Sequence, residues 1–454
     1  MRFMNYRFLL FLVTICCAML PTSTRAQSNG GVNSSYSRFG LGLPADQSQG
    51  FNRSMGGVGQ GLRASYRINM LNPASYSACD SLTFLFDVGM SLQQTHMKQN
   101  GATKNINNTS FDYVNAAFRV LPNLGMSVGF VPYTNIGYDF TRTGEVTQDP
   151  YTLQSITQTL NFNGDGGLHQ AYAGIGWQPL KGFSIGVNMG YLWGNINNTM
   201  SQTFYENGTA NTSNYSYLYS SYTSAVKTWK GDIGVQYQTV LNPQNRLTLG
   251  ATVGIGHTIG SEATILRTTQ AGDTIQRSTK DAYQIPMTYS LGAAWEHKER
   301  LLVAADATLE QWGECTTPQL RNTESDIQYV AAKGELKNRV RINAGVEYVP
   351  GRYDRPYMHR INYRFGAFYS TPYMKVNGLD GPKEFGLTAG LGLPISNRNT
   401  RSKVLNIYTP PYLNIGIQWT HRNASSSTLI REDMLAIKVG ITFNEAWFMK
   451  WKFR

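Results

Sequence analysis

The sequence predicts an all-β fold: a 14-stranded antiparallel transmembrane β-barrel with an N-terminal luminal hatch. Three observations predict it. Segments of about ten residues alternate between apolar and small or polar side chains. The composition is rich in Tyr and Gly and poor in charge. An export signal is followed by no apolar run long enough for a spanning helix.

Phe183 to Gly194 carries the alternation most clearly. Phe183, Ile185, Val187, Met189, Tyr191 and Trp193 share one face of an extended strand. Ser184, Gly186, Asn188, Gly190 and Gly194 share the other, with Leu192 the exception. A strand crossing a bilayer needs about 9–11 tilted residues with an apolar outer face, whereas strands of soluble domains run about 5–6. The pattern recurs at Phe84 through Leu92, Leu247 through Ile255, Leu413 through Trp419 and Leu435 through Phe443.

Residues 1–26 read as a secretory signal peptide. Arg2 and Arg7 precede an apolar run of 13 residues, Phe8 to Leu20, and Thr24 and Ala26 supply the small residues before a cut after Ala26. Cys16 and Cys17 lie inside the run behind bulky Ile15, which argues against a lipid anchor. Twenty-seven Tyr, 45 Gly and only 15% charged residues favour a barrel over a soluble domain. Aromatic girdles use Tyr and Trp, and a lipid-facing surface excludes charge.

Removing Arg2, Arg7 and Arg25 lowers the net charge from +12 to +9. The remaining basic residues sit in short turns and the last segment, not in one patch interleaved with aromatics, so no nucleic-acid partner is expected. Anionic headgroups of the outer-membrane lipid, or an acidic partner, account for the excess equally well. Cys79 and Cys315 read as free thiols, although a disulfide between them is open.

The expected strands are 82–95, 111–121, 124–140, 167–178, 183–197, 225–240, 246–261, 282–297, 301–312, 337–349, 360–372, 384–395, 410–422 and 434–444. Fourteen is an even number, as bacterial single-chain barrels have. Short turns at 121–123, 178–182, 241–245 and 297–300 alternate with long polar connections such as 141–166, 198–224, 262–281 and 313–336. Short periplasmic turns and long external loops give this alternation and put both chain ends of the barrel on the periplasmic side. The barrel is therefore expected over 81–444, with extra strand conceivable in 141–166.

Residues 27–80 lack sustained alternation. Gly56, Gly57, Gly59 and Gly61 are followed by an apolar stretch over 62–76 that is too hydrophobic for a solvated tail, which favours a plug folded into the lumen. Residues 445–454 form a basic, aromatic tail with Trp447, Phe448, Trp451 and Phe453, suited to an interfacial anchor or a further turn of strand.

The triplet Asn72-Pro73-Ala74 before strand one resembles the FadL/OmpP1/TodX family of outer-membrane transporters for hydrophobic compounds. The signal peptide, glycine-rich N-terminus, strand count and Leu124 to Tyr133 as strand three agree with it. The opening Ser35 to Leu41 and Asn52 to Gly56 are similar to Bacteroidetes-type members of Gram-negative outer membranes. The resemblance implies a hatch in the lumen, a hatch turn at Asn72, Pro73 and Ala74, and a strand-three kink around Gly129, Pro132 and Gly137 through which ligand leaves laterally. It also implies ligand capture on the third external loop, with Tyr215, Tyr217, Leu218, Tyr219 and Tyr222. Pro132 independently weakens strand pairing because it removes a ladder donor.

Catalytic motifs do not survive inspection. Gly125 to Gly129 and Gly182 to Gly186 match G-x-S-x-G, but both lie within strands rather than a strand–turn–helix elbow. The six histidines are dispersed, with no metal spacing. Inward-facing Asp87, Arg119, Asp232, Asp306, Glu310, Arg341, Arg364 and Lys438 suggest ion-pair ladders joining wall and plug, or else the lining of an aqueous path. The sequence thus points to a monomeric, non-enzymatic barrel without cofactor, for passive uptake of a hydrophobic, fatty-acid-like small molecule. A protein-interaction role in type IX-like secretion with a periplasmic or secreted protein partner, and a simple porin, are the alternatives.

Overall fold

The computed structural model describes residues 33–81, 83–99, 101–148, 155–206, 209–210, 218–269, 272–322, 327–352, 354–376, 378–395, 410–423 and 429–446. The expected signal peptide, most of the aromatic tail, Tyr215 and Tyr217 lie outside these residues.

Fourteen strands form the wall: β1 Thr83–Gln99, β2 Ala102–Leu121, β3 Leu124–Gln148, β4 Ser155–Leu180, β5 Phe183–Glu206, β6 Leu218–Asn242, β7 Asn245–Gly254, β8 Thr288–His297, β9 Leu301–Glu310, β10 Arg339–Tyr348, β11 Asn362–Ser370, β12 Lys383–Pro394, β13 Tyr412–Asn423 and β14 Arg431–Ala446. Each pairs antiparallel with its sequence neighbour, and β14 pairs with β1 from Thr83↔Ala446 to Lys98↔Arg431. Closure satisfies backbone groups that lipid could not. No helix among the described residues is long and apolar enough to cross a membrane.

The lipid face follows the alternation. Met189, Ile233, Leu291, Ile342, Phe365, Leu387 and Ile417 are exposed on it. Trp177, Tyr237, Trp295 and Tyr348 mark its periplasmic rim, and Tyr191, Trp229 and Trp419 its outer rim, the levels that amphipathic rings favour. Asn123 takes φ 63° in the β2–β3 turn, a left-handed value that Asn tolerates.

The outer ends depart from expectation. β3 to β6 run 25, 26, 24 and 25 residues, where about 9–11 suffice to span. Much of the expected loops 141–166 and 198–224 is therefore strand. Glu262–Thr269 joins β6 and Thr274–Lys280 extends the sheet, while Thr317–Asn322 pairs with Ile327–Ala332. Conversely the strand expected over 246–261 stops at Gly254. The backbone at Gly256 runs against Pro286 and Met287, and His257–Ile259 pairs instead with Tyr283–Ile285.

Residues 33–80 lie inside the barrel, and luminal glycines make the room. Added Cβ atoms would strike Pro73 from Gly176 and Gly186, Gln60 from Gly250, Met55 from Gly345, and Met55 and Gly56 from Gly366. These wall glycines let one backbone approach another closely.

Candidate functional site

The wall is interrupted between β2 and β3. Their ladder runs from Leu121↔Leu124 to Val114↔Phe130 and ends there. Two residues further along β3, Pro132 has no N–H to offer, and Tyr133 is an extra residue between the Pro132↔His169 and Thr134↔Leu168 pairs with β4. A free strand edge at membrane depth must be covered by protein.

The N-terminal segment covers it. The short strand Leu43–Pro44 pairs with Asn135 and Thr134 of β3. Ala45 N donates to the Tyr133 carbonyl at 3.0 Å, and Ser34 N to the Gly137 carbonyl at 2.9 Å. Ser37 Oγ donates to Gly137 O and accepts from Gly137 N. On the opposite side of the gap, Asn33 Nδ2 donates to Asn108 Oδ1 of β2 at 2.6 Å. Residues 33–47 thus form a strap across the opening.

Ionic latches fix strap and plug to the wall. Ser34 Oγ donates to Glu432, which pairs with Arg422 at 2.9 Å. Asp46 pairs with Lys438 at 2.7 Å, Arg53 with Asp112, and Arg67 with Glu347 at 2.7 Å. Gln60 N donates to Asp306 at 2.9 Å. Burial tends to raise the Asp46 carboxyl, but Lys438, Arg53 and Arg341 outweigh it and hold it well below the usual carboxylate range.

Outside the bilayer, the long strands enclose an aromatic vestibule of about 240 Å³. Tyr138, Phe162, Met200, Tyr222, Tyr283, Leu320 and Tyr329 line it together with Arg38 and Phe39 of the strap. The Arg38 guanidinium lies 4.7 Å above the Phe162 ring. Strap residues Tyr36, Leu41 and Leu43 belong to the same apolar cluster as Ile196, Ile265 and Tyr283. The vestibule floor is therefore the strap that closes the wall.

The residues singled out from the sequence fall in three places. Asn72 caps a 3-10 turn, Pro73–Ala78: its Oδ1 accepts from Ala74 N at 3.1 Å, and its Nδ2 donates to Gln60 O and Val235 O. Pro73 packs on Gly176, Gly186 and Gly234, all near the periplasmic turns. The turn Asn72, Pro73 and Ala74 is thus not brought to the strand-three bulge, seven pairs further out along the ladder, where Pro132 and Gly137 meet the gap and the strap, while Gly129 still pairs with Asn115 inside the β2–β3 ladder. Tyr219 and Tyr222 belong to β6 rather than to a loop, as does Leu218, and Tyr222 lines the vestibule. The strap itself was missed. It presents no side-chain alternation, and its seal is made by backbone bonds. Cys79 and Cys315 are both free and buried. Among the described residues no group of acids, histidines or cysteines is placed to hold a metal.

A family model described as BamG matches residues 8–454. The chain belongs to the BamG family. No curated protein sequence matches it. Among solved structures, the chain is similar to the Pseudomonas putida toluene transporter TodX, with a TM-score of 0.55 at 14% identity over 92% of this chain and all of that one. The Ralstonia pickettii toluene transporter TbuX gives 0.54 at 14% identity over 90% and 98%. A Pseudomonas aeruginosa FadL homologue gives 0.54 at 12% identity over 89% and 98%. The resemblance to FadL and TodX thus holds for the fold, a closed barrel of the outer membrane.

Proposed function

We propose that this BamG-family barrel takes up hydrophobic small molecules across the outer membrane without an energy source. The observation that carries the reading is the shared boundary of vestibule and gap. The strap that floors the aromatic cavity through Arg38 and Phe39 also covers the free edge of β3. An apolar, fatty-acid-like molecule enters among Tyr138, Phe162, Met200 and Tyr222, displaces the strap, and leaves between β2 and β3 into the membrane. Structurally similar barrels named as toluene transporters support this reading. No step is catalytic, and the barrel works as a monomer.

A specific observation favours a second reading. Below the vestibule the lumen is lined by charged side chains, and the plug is ion-paired to the wall at several levels. Charged walls give an apolar molecule no favourable path toward the periplasm. In this reading the barrel stays closed and presents its tall external sheet to a secreted or periplasmic protein partner. A simple porin is disfavoured, because the plug fills the lumen.

Mass spectrometry of barrel extracted mildly from native membranes separates the two. A defined apolar molecule that is lost when Tyr222 and Phe162 become Asp supports uptake. A ligand-free barrel that carries a stoichiometric protein partner overturns it.

A further inference from the structure

Two chambers lie between strap and plug, of about 150 and 170 Å³, and both are bordered by Pro44, Ala45, Asp46, Arg339 and Arg341. Each is roomy enough for on the order of ten water molecules or a small polar solute. Their charged walls are ion-paired with two exceptions, Arg341 and Asp306, which accepts only from Gly59 N and Gln60 N. Arg53 pairs with Asp112, Lys230 with Asp232, Arg339 with Glu310, Arg422 with Glu384 and Glu432, and Lys438 with Asp46. Among the described residues, Arg341 has no ion pair. Its Nε donates to Asn343 Oδ1 at 3.0 Å, and its guanidinium stacks 4.6 Å from the Phe368 ring centre. The carboxylates that bear on it, Glu384, Asp46 and Glu310, are engaged by Arg422, Lys438 and Arg339.

A cation without an ion-pair partner inside a barrel is costly unless something compensates it. The stacking and the single bond to Asn343 leave both terminal nitrogens of the guanidinium free of any carboxylate. Their fork geometry suits two oxygens of one anion. The Ser290 hydroxyl, which accepts from Thr308, lines the second chamber and can donate to such an anion. An uncharged hydrocarbon would gain nothing here.

We infer that Arg341 is the anchor of an internal anion site, taking a carboxylate- or phosphate-bearing molecule in the chambers between strap and plug. The site stands apart from uptake at the vestibule and holds whether or not an apolar ligand is carried. The shared chemistry has two sources, a free small anion or the head of an amphiphile.

Calorimetric titration of the full-length purified barrel, in chloride-free buffer, tests it with inorganic phosphate and with octanoate as probes. Binding of phosphate identifies a free-anion site, and binding of octanoate alone identifies an amphiphile head. In either case Arg341→Gln weakens binding about tenfold or more, the loss expected for charge-assisted hydrogen bonds. Arg341→Lys keeps a point charge without the fork and weakens it severalfold. Heat-modifiable electrophoretic mobility checks that the variants are closed barrels, and R341K carries the comparison where R341Q is not. Wild-type barrel that binds neither probe, or folded variants that bind as tightly as wild type, overturn the inference.

Discussion

The Arg67 guanidinium of the plug lies 2.7 Å from the Glu347 carboxylate of β10, and Arg364 of β11 approaches the same carboxylate at 2.6 Å. One acid therefore serves two buried cations, one on the plug and one on the wall. Glu347→Ala takes this carboxylate from both cations, whereas Arg67→Ala leaves Glu347 still paired with Arg364. The expected order of thermal stability is wild type, then R67A, then E347A, with E347A costing about 3–5 kcal/mol. Electrophoretic mobility after graded heating reads this order. Equal losses in the two variants would show that Arg364 does not share the charge.

The wall glycines predict how the plug can be expelled. A side chain at Gly366 would occupy the space of the Met55–Gly56 backbone. Gly366→Val is expected to displace the plug while β11 keeps its register, because Val suits a strand. Planar-bilayer conductance should rise from near closed to steady openings. Cys79 supplies a second readout. Burial, then Asp80, pushes its thiol up to about 12, so thiolate reagents should miss it in wild type and reach it in the variant. A non-conducting G366V barrel with protected Cys79 would mean that the plug has other room.

The Asp46–Lys438 latch carries a pH dependence of definite sign. Asp46 is held below the usual carboxylate range when folded, against about 3.9 for a free side chain. Its contribution is therefore full above about pH 4 and is lost as pH falls toward the folded value. The strap should stay protected from protease from neutral pH down to about 4 and loosen only in stronger acid. Asp46→Asn should loosen it at all these values. Acid release that is identical in D46N and wild type would place the sensitive group elsewhere.

These relationships were unequally legible in the sequence. The fourteen strands could be read because Phe84 to Leu92 and Phe183 to Trp193 put apolar side chains outward for a full crossing. The outer extensions could not be read in the same way. Beyond the bilayer the facing is unchanged, but the chemistry inverts: Phe162 and Ile196 are buried inward, while Asn161 and Asn195 face water. A search for apolar-outward alternation reads that stretch as loop. Arg341 was legible as an inward charge. That it would be the cation left over depends on which carboxylates the barrel and the strap bring near, and no single strand shows this. The strap escaped notice because the bonds of Ser34 and Ala45 to β3 are backbone bonds, invisible in a side-chain pattern.

Locking the strap decides between the two readings of function. Leu43 and Asn135 are direct partners in the strap–β3 pairing, and both border the first chamber. Facing residues of an antiparallel pair lie about 4.5–5.5 Å apart between Cα atoms, within the range a disulfide spans. Cys79 and Cys315 are buried and unpaired, so Leu43→Cys with Asn135→Cys should form the new bond selectively in the oxidising periplasm. If ligand leaves through the gap, the oxidised double variant loses uptake of a labelled hydrophobic probe and regains it on reduction, while each single variant stays near wild type. If the barrel is a closed interaction scaffold, the bond leaves partner binding intact and stabilises the strap. Uptake unaffected by the lock would rule out exit between β2 and β3.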